Sequence, residues 1–184
     1  MRTLKFGLLL ILMSIAHLCL SQYEPGRIIS IGFGSGNSEH AGTYFVEEDF
    51  RVNEYSGFRA LIFEAKLGWN FWEMTSIYGV GRFAPANSII SPYRSTYLGV
   101  GVSQAFPFFK RLYAIGNYGK YRSRLKNGVR SGSGNLLNIG GGFRLDDNIF
   151  VELNKTYGDL NDIDDRINII DTENQWFATL SFTF

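Results

Sequence analysis

The sequence predicts an all-β fold: an eight-stranded antiparallel up-and-down barrel that spans a membrane. Three observations predict it, namely eight segments of alternating apolar and polar residues, connections that are long and short in turn, and aromatic residues near the segment ends. A period of two residues places successive side chains on opposite faces of a strand. Each segment therefore has one apolar face and one largely polar face.

The alternating segments define the strands. The last segment is the clearest, because Trp176, Leu180 and Phe184 share an apolar face while Thr179 and Ser181 lie on the opposite one. A strand that crosses a bilayer needs roughly 9–11 tilted residues, and most of the segments are that long. The predicted strands are 27–34, 58–69, 75–84, 94–106, 111–121, 135–145, 149–158 and 174–184.

Three segments fit the alternation less well. Segment 27–34 is short and rich in glycine, and Gln104 falls on the apolar face of its segment. In 111–121, either the set with Leu112 or the set with Tyr113 could face outward. A β-bulge would repair any of these misfits.

The lengths of the connections are sorted by position. Every connection after an odd-numbered strand is longer than every connection after an even-numbered one, and this sorting is typical of membrane barrels with short periplasmic turns and long external loops. A sheet in lipid also has to close, because open edges would leave backbone groups unpaired. The long connections are 35–57, 85–93, 122–134 and 159–173, and the short ones are 70–74, 107–110 and 146–148.

Aromatic residues cluster near both ends of the predicted strands, as expected for the two interfaces of a bilayer. The set near the short turns is Trp69, Phe71, Trp72, Phe106, Phe108, Phe109 and Phe184. The set near the long connections is Phe58, Tyr93, Tyr97, Tyr121, Tyr157 and Trp176.

The N-terminus has the order of a secretory signal peptide. Arg2 and Lys5 precede an apolar run that is too short to span a membrane as a helix. We expect cleavage after Ser21, which divides the chain into a signal peptide (1–21) and one barrel domain (22–184). The one cysteine, Cys19, leaves with the signal peptide, so the mature domain has no disulfide or thiolate chemistry.

The charge balance argues against a nucleic-acid partner. The chain has 18 basic and 17 acidic residues, and removal of Arg2 and Lys5 leaves 16 basic against 17 acidic. Nucleic-acid binding requires a marked basic surplus. The sequence therefore favours other partners.

A signal peptide, eight alternating segments and a C-terminal strand that ends in Phe resemble the small outer-membrane β-barrel proteins of the OmpA-domain and OmpX type. The resemblance implies export through the periplasm to the outer membrane, contact with outer-membrane lipids and lipopolysaccharide, and a monomeric barrel. It also implies that Leu180, Phe182 and Phe184 form the segment recognised by the barrel-insertion machinery.

An eight-stranded barrel is just wide enough to be filled by its own side chains. Charged residues on the polar faces of the strands would be costly there unless they are paired. We therefore predict that they form a lumen ionic network; its predicted members are Glu64, Lys66, Arg82, Arg144 and Glu152. The alternative is a narrow path for ions.

The third long connection and its flanks are basic, and the fourth is acidic. Lys120, Arg122, Arg124, Lys126 and Arg130 occur with no acidic residue among them, and they could bind lipopolysaccharide phosphates. The acidic residues of 159–173 could hold divalent cations or pair with this basic segment, but they lack the spacing of an EF-hand loop. Plain solvated loops are the alternative to both interpretations.

Catalysis has little support in the sequence. After signal removal only His40 remains of the two histidines, and no serine or acid partner lies at a diagnostic spacing from it. The sequence predicts no catalytic site, no metal site and no cofactor. A structural or surface-interaction role through the external loops is the favoured function, with a narrow porin for ions or small solutes as the alternative, and a lipid-modifying outer-membrane enzyme that uses His40 as a third option.

Overall fold

The computed structural model describes residues 25–46, 49–72, 74–85, 93–125, 131–162 and 170–184; the predicted signal peptide lies outside them. These residues form eight antiparallel strands. Each strand pairs with the next and β8 pairs with β1, so the sheet is a closed barrel. The strands are β1 (Gly26–Val46), β2 (Asp49–Trp72), β3 (Thr75–Ala84), β4 (Tyr93–Phe106), β5 (Phe109–Leu125), β6 (Ser131–Asp146), β7 (Ile149–Asp162) and β8 (Ile170–Thr183).

The two faces of the sheet have the reverse of the polarity found in a soluble barrel. Leu98 and Leu67 are 72% and 66% exposed, whereas Asn138 and Asn154 are 0% and 1% exposed. An apolar outer face over a partly polar interior is stable where the surrounding solvent is lipid. The barrel therefore spans a membrane. No helix among the described residues is long and apolar enough to cross one.

The strands extend further than the alternation predicted. Segment 35–57, expected as a long connection, is instead a hairpin in which β1 and β2 remain paired up to Val46 and Asp49, with a register shift between Gly34 and Gly36. Parts of 122–134 and 159–173 are also strand. Backbone pairing does not depend on apolar alternation, which is required only where one face of a strand meets lipid. The sequence signal therefore ends before the strand does.

The structure resolves the ambiguous positions of β4 and β5. Tyr113 and Ile115 are buried and Leu112 is exposed, so the set with Leu112 faces lipid. Gln104 is also exposed, and its side-chain oxygen accepts a hydrogen bond of 2.8 Å from the Thr75 hydroxyl. This bond satisfies a polar group on the outer face close to the short turns.

The aromatic residues near the short turns face outward, and part of the other predicted girdle does not. Tyr157 and Trp176 are exposed as expected, but Tyr97 and Tyr121 are buried in the lumen. Both lie at inward positions and are direct cross-strand partners, so their assignment to the girdle was wrong. The exposed residues at the short-turn end are Trp69, Phe71, Phe106, Phe108, Phe109 and Phe184; the side chains of Phe58, Trp72 and Tyr93 lie outside the described ones.

Glycine at 101 makes room for the packing of the lumen. Gly101 lies on the inner face of β4, where a Cβ atom would meet the Asn117 side chain and would lie 2.7 Å from Tyr78 Cε2. Gly79 on the outer face of β3 has no such neighbour, because the nearest atom to an added Cβ is 3.8 Å away.

We expect Gly101→Ala to lower the free energy of unfolding by about 1–3 kcal/mol, because the extra methyl overpacks the lumen. Gly79→Ala is the matched control and should leave that free energy unchanged. Urea titrations of both variants in lipid vesicles measure the difference. Equal stability of the two variants would show that the inner face is not close-packed at this position.

Candidate functional site: a closed lumen and a basic outer wall

Four of the five charged residues predicted for the lumen contact one another. Lys66 Nζ lies 2.5 Å from a Glu152 carboxylate oxygen and 3.2 Å from Glu64 Oε1. Arg82 donates to Glu64 Oε2 from Nη2 at 2.7 Å and from Nε at 3.0 Å. All four side chains are buried. We call Glu64, Lys66, Arg82 and Glu152 the lumen network.

The local geometry of the strands explains the contacts. Glu64 on β2 and Arg82 on β3 are direct cross-strand partners, whereas Glu152 reaches Lys66 from β7. The network contains two acids and two bases, so its formal charges cancel. The Tyr113 hydroxyl adds a hydrogen bond of 2.9 Å to Glu152 Oε1. Pairing and hydrogen bonding together make buried charges tolerable.

Arg144, the fifth predicted member, occupies a different level of the lumen. It is buried on the inner face of β6, and its guanidinium forms an ion pair of 3.0 Å with Asp147 in the β6–β7 turn. It also donates to the carbonyl oxygens of Asp146 and Asp147. Arg144 therefore anchors the short turn.

A cavity of about 370 Å³ separates the short turns from the lumen network. It extends from Asp147 and Asn148 in the turn to Lys66 and Glu152. Its lining includes buried hydroxyl groups, among them that of Tyr78. This cavity, with its mixed polar and apolar lining, is a vestibule that ends at the lumen network.

On the other side of the network, both apolar and polar side chains are buried in the lumen. The Arg82 guanidinium carbon lies 3.9 Å from the centre of the Phe177 ring and 5.2 Å from that of Tyr97, so two aromatic rings pack against the network. Two buried apolar clusters adjoin the network. One extends from Tyr78 in the vestibule wall past the network and also contains Val80, Tyr97, Tyr121 and Leu136, and the other consists of Ile62, Ala84 and Phe177. The lumen network and these buried side chains together occupy the described part of the lumen beyond the vestibule.

The described part of the basic segment faces outward from β5. Lys120, Arg122 and Arg124 are exposed, while Lys126 and Arg130 lie outside the described residues. Arg94 on β4 is also exposed and is the direct cross-strand partner of Arg124. We call Arg94, Lys120, Arg122 and Arg124 the basic wall.

Arg94 was missed from the sequence because it stands alone in its segment and joins the basic wall only through strand register. A groove of about 320 Å³ runs along the wall between Lys120 and Arg122, with Thr96 and Asn135 in its lining. Like charges directly opposite one another on a sheet are destabilising. An anion bound between Arg94 and Arg124 would relieve the repulsion of this pair.

Two residues of the predicted insertion signal, Leu180 and Phe182, lie on the outer face of β8, and the third, Phe184, follows the last residue of that strand. The Phe182 and Phe33 ring centres are 6.0 Å apart, and Phe184 is 78% exposed. The Phe184 backbone N–H donates to the Ile29 carbonyl oxygen at 2.9 Å, which joins the end of the chain to β1. Recognition of Leu180, Phe182 and Phe184 by the insertion machinery stays a prediction.

Two features of the sequence lie mostly outside the described residues. Only the backbone of His40 in β1 is described, and most of the acidic connection between β7 and β8 is not. Among the described side chains, no group of three His, Cys, Asp or Glu residues could hold a metal ion.

Comparison with known proteins places the fold. No protein-family model matches the chain, and no curated protein matches its sequence. Neisserial surface protein A (NspA) matches in structure with a TM-score of 0.51 at 10% sequence identity, over 84% of this chain and 97% of that one. The likeness is one of fold, and together with the lipid-facing outer surface it defines a small outer-membrane-type β-barrel.

Other solved barrels match with lower scores. The Yersinia pestis attachment invasion locus protein Ail has a TM-score of 0.45 at 16% identity, over 86% of this chain and 100% of that one. The Escherichia coli outer membrane protease OmpT has a TM-score of 0.43 at 10% identity, over 90% and 99% of the two chains.

Removal of one member of the lumen network should destabilise the barrel. We expect Lys66→Met to lower the free energy of unfolding by about 3–5 kcal/mol, because it leaves Glu152 buried without its cation. The exposed Lys120→Met is the matched control and should stay within about 0.5 kcal/mol of the wild type. Urea titrations in lipid vesicles measure both.

The double variant Lys66→Met/Glu152→Gln separates the contribution of the Lys66–Glu152 ion pair to stability from that of side-chain packing. Because it removes both charges of the pair, it should lose less stability than the sum of the two single variants. Additive losses, or a neutral Lys66→Met, would contradict the network as described.

Proposed function

We propose that the protein is a closed, monomeric outer-membrane barrel that acts at the cell surface by binding lipopolysaccharide phosphates through the basic wall. The observation that carries the proposal is the direct pairing of Arg94 with Arg124 on the outward face, beside exposed Lys120 and Arg122. Arginine forms bidentate, charge-assisted hydrogen bonds with phosphate. A phosphate between the two strands would neutralise the paired guanidinium groups.

The position of the basic wall along the strands supports a role at the outer surface. Arg124 is next to the last residue of β5, at the end of the barrel opposite the short turns. Below it on the same face of β5, Tyr118 and Leu112 are exposed to lipid. The cations therefore follow directly after the apolar belt, which is the level at which lipid headgroups lie.

The second candidate function is a narrow porin. The vestibule of about 370 Å³ favours it, because water could reach Lys66 and Glu152 from the short-turn end. The Phe177 and Tyr97 rings oppose it, because both are buried and pack against Arg82 on the far side of the network. We therefore favour the closed barrel.

The third candidate, a lipid-modifying enzyme, depends on His40. Barrels of one fold can carry different functions, so the architecture does not decide the matter. The features that we connect with function are the lumen network, whose formal charges cancel, and the basic wall. Both suit a binding protein. We accordingly propose a protein without enzymatic activity.

The double variant Arg122→Gln/Arg124→Gln tests the function of the basic wall. We expect its affinity for purified lipopolysaccharide in uncharged detergent to fall at least about tenfold, because two charge-assisted contacts are lost. Added salt should weaken binding of the wild type more than binding of the variant. Thermophoresis with labelled protein measures both effects.

Arg27→Gln is the matched control, since Arg27 is an exposed arginine at the short-turn end of the barrel. It should leave lipopolysaccharide binding unchanged. Wild-type affinity in the double variant would refute the basic wall as the binding surface.

A further inference from the structure

A lysine interrupts the lipid-facing surface of β7. Lys155 shares the outer face with Leu153 and Tyr157, which are 56% and 43% exposed. Its direct cross-strand neighbours are Ile139 on β6 and Trp176 on β8, and both are exposed apolar residues. Lys155 is therefore a cation within the apolar belt, at a position that the alternation of β7 would assign to an apolar side chain.

The level of Lys155 explains how it is tolerated. It follows Ile149, the first residue of β7, by six positions, and at ~3.3 Å per residue and a tilt near 40° this is a rise of about 15 Å. The apolar belt of such barrels is about 25 Å tall. A lysine stem that extends away from the short turns brings its ammonium group close to the outer headgroups.

Two aromatic rings hold the ammonium group in that direction. Lys155 Nζ lies 4.7 Å from the ring centre of Tyr157 and 4.7 Å from that of Trp176. Such cation–π contacts fix the cation but leave its charge uncompensated. Among the described residues, no carboxylate lies within ion-pair distance of Lys155. A cation fixed at this level attracts the anionic group that the headgroup layer supplies.

We propose that Lys155, Tyr157 and Trp176 form a binding site for a phosphate of lipid A in the outer leaflet, which we call the Lys155 clamp. The ammonium group would bind the phosphate, and the indole N–H and phenol O–H are further donors at the same level. The clamp is on β7 and β8, whereas the basic wall is on β4 and β5. The proposal thus requires the outer-membrane location but not the function proposed for the basic wall.

Trp176 offers a signal that belongs to this site. The chain has three tryptophans, so Trp69→Phe/Trp72→Phe leaves Trp176 as the sole reporter. Lipid A titrated into this variant in uncharged maltoside micelles should change the Trp176 fluorescence in a saturable way. Adding Lys155→Met should weaken that binding about tenfold, the loss expected for one charge-assisted contact.

Two control variants separate the clamp from the basic wall. Lys155→Arg should retain binding, since it keeps the cation, and Lys120→Met should leave the Trp176 titration unchanged. A loss with Lys120→Met but not with Lys155→Met would place the phosphate on the basic wall and refute the clamp. A gel shift between heated and unheated samples confirms that each variant is folded.

Three other results would overturn the proposal. Dephosphorylated lipid A that binds as tightly would show that the phosphate is not recognised. Phosphatidylglycerol that binds as tightly would show a general attraction for anionic lipids rather than a lipid A site. A Trp176 signal that depends on protein concentration without lipid A would show that this face packs against a second copy of the chain.

Discussion

The lumen network is the interaction on which the rest of the structure depends. A closed sheet in lipid turns one face towards the bilayer and the other into a narrow interior, so inward charges have no bulk water to solvate them. Glu64 and Arg82 pair on neighbouring strands, and Lys66 joins them to Glu152 on β7. The network therefore connects separate walls of the barrel across its interior and neutralises its charges at the same time.

Closure of the lumen shifts the search for function to the outer surface. The barrel has lipid around its belt and water beyond it, and cations at the boundary between the two encounter anionic headgroups. The basic wall lies at that boundary, whereas Lys155, on another side of the barrel, lies within the belt and directs its ammonium group towards the boundary. Both would bind phosphate, the first through guanidinium groups in strand register and the second through an ammonium group fixed between two rings.

Alternation of apolar and polar residues predicted the strands and the residues that line the lumen, because successive side chains of a strand face lipid and lumen in turn. It identified the four charges that form the network, since each lies at a polar position within an apolar alternation. It did not predict the paired outer parts of β1 and β2, because backbone pairing there does not require apolar alternation. The inward Tyr97 and Tyr121 were misassigned, since an aromatic residue near a strand end suits either an interface or a filled lumen.

Contacts that depend on strand pairing could not be predicted from the sequence either. Arg94 joins Arg124 through register, and Lys155 meets Trp176 in the same way, although the residues are distant in the chain. Arg144 was grouped with the network by its inward face, yet its ion pair is with Asp147 in the turn. The sheet face on which a side chain lies can be predicted from a period of two residues. Its contact partners depend on strand register and on its level within the barrel.

The conductance of refolded residues 22–184 in a planar lipid bilayer tests the central claim most directly. The closed lumen predicts no conductance steps, with insertion of the barrel confirmed separately by the gel shift between heated and unheated samples of the same preparation. Discrete, reproducible steps would contradict a lumen closed by the lumen network and the side chains buried around it. They would make the narrow porin the leading function and the lumen network its selectivity filter.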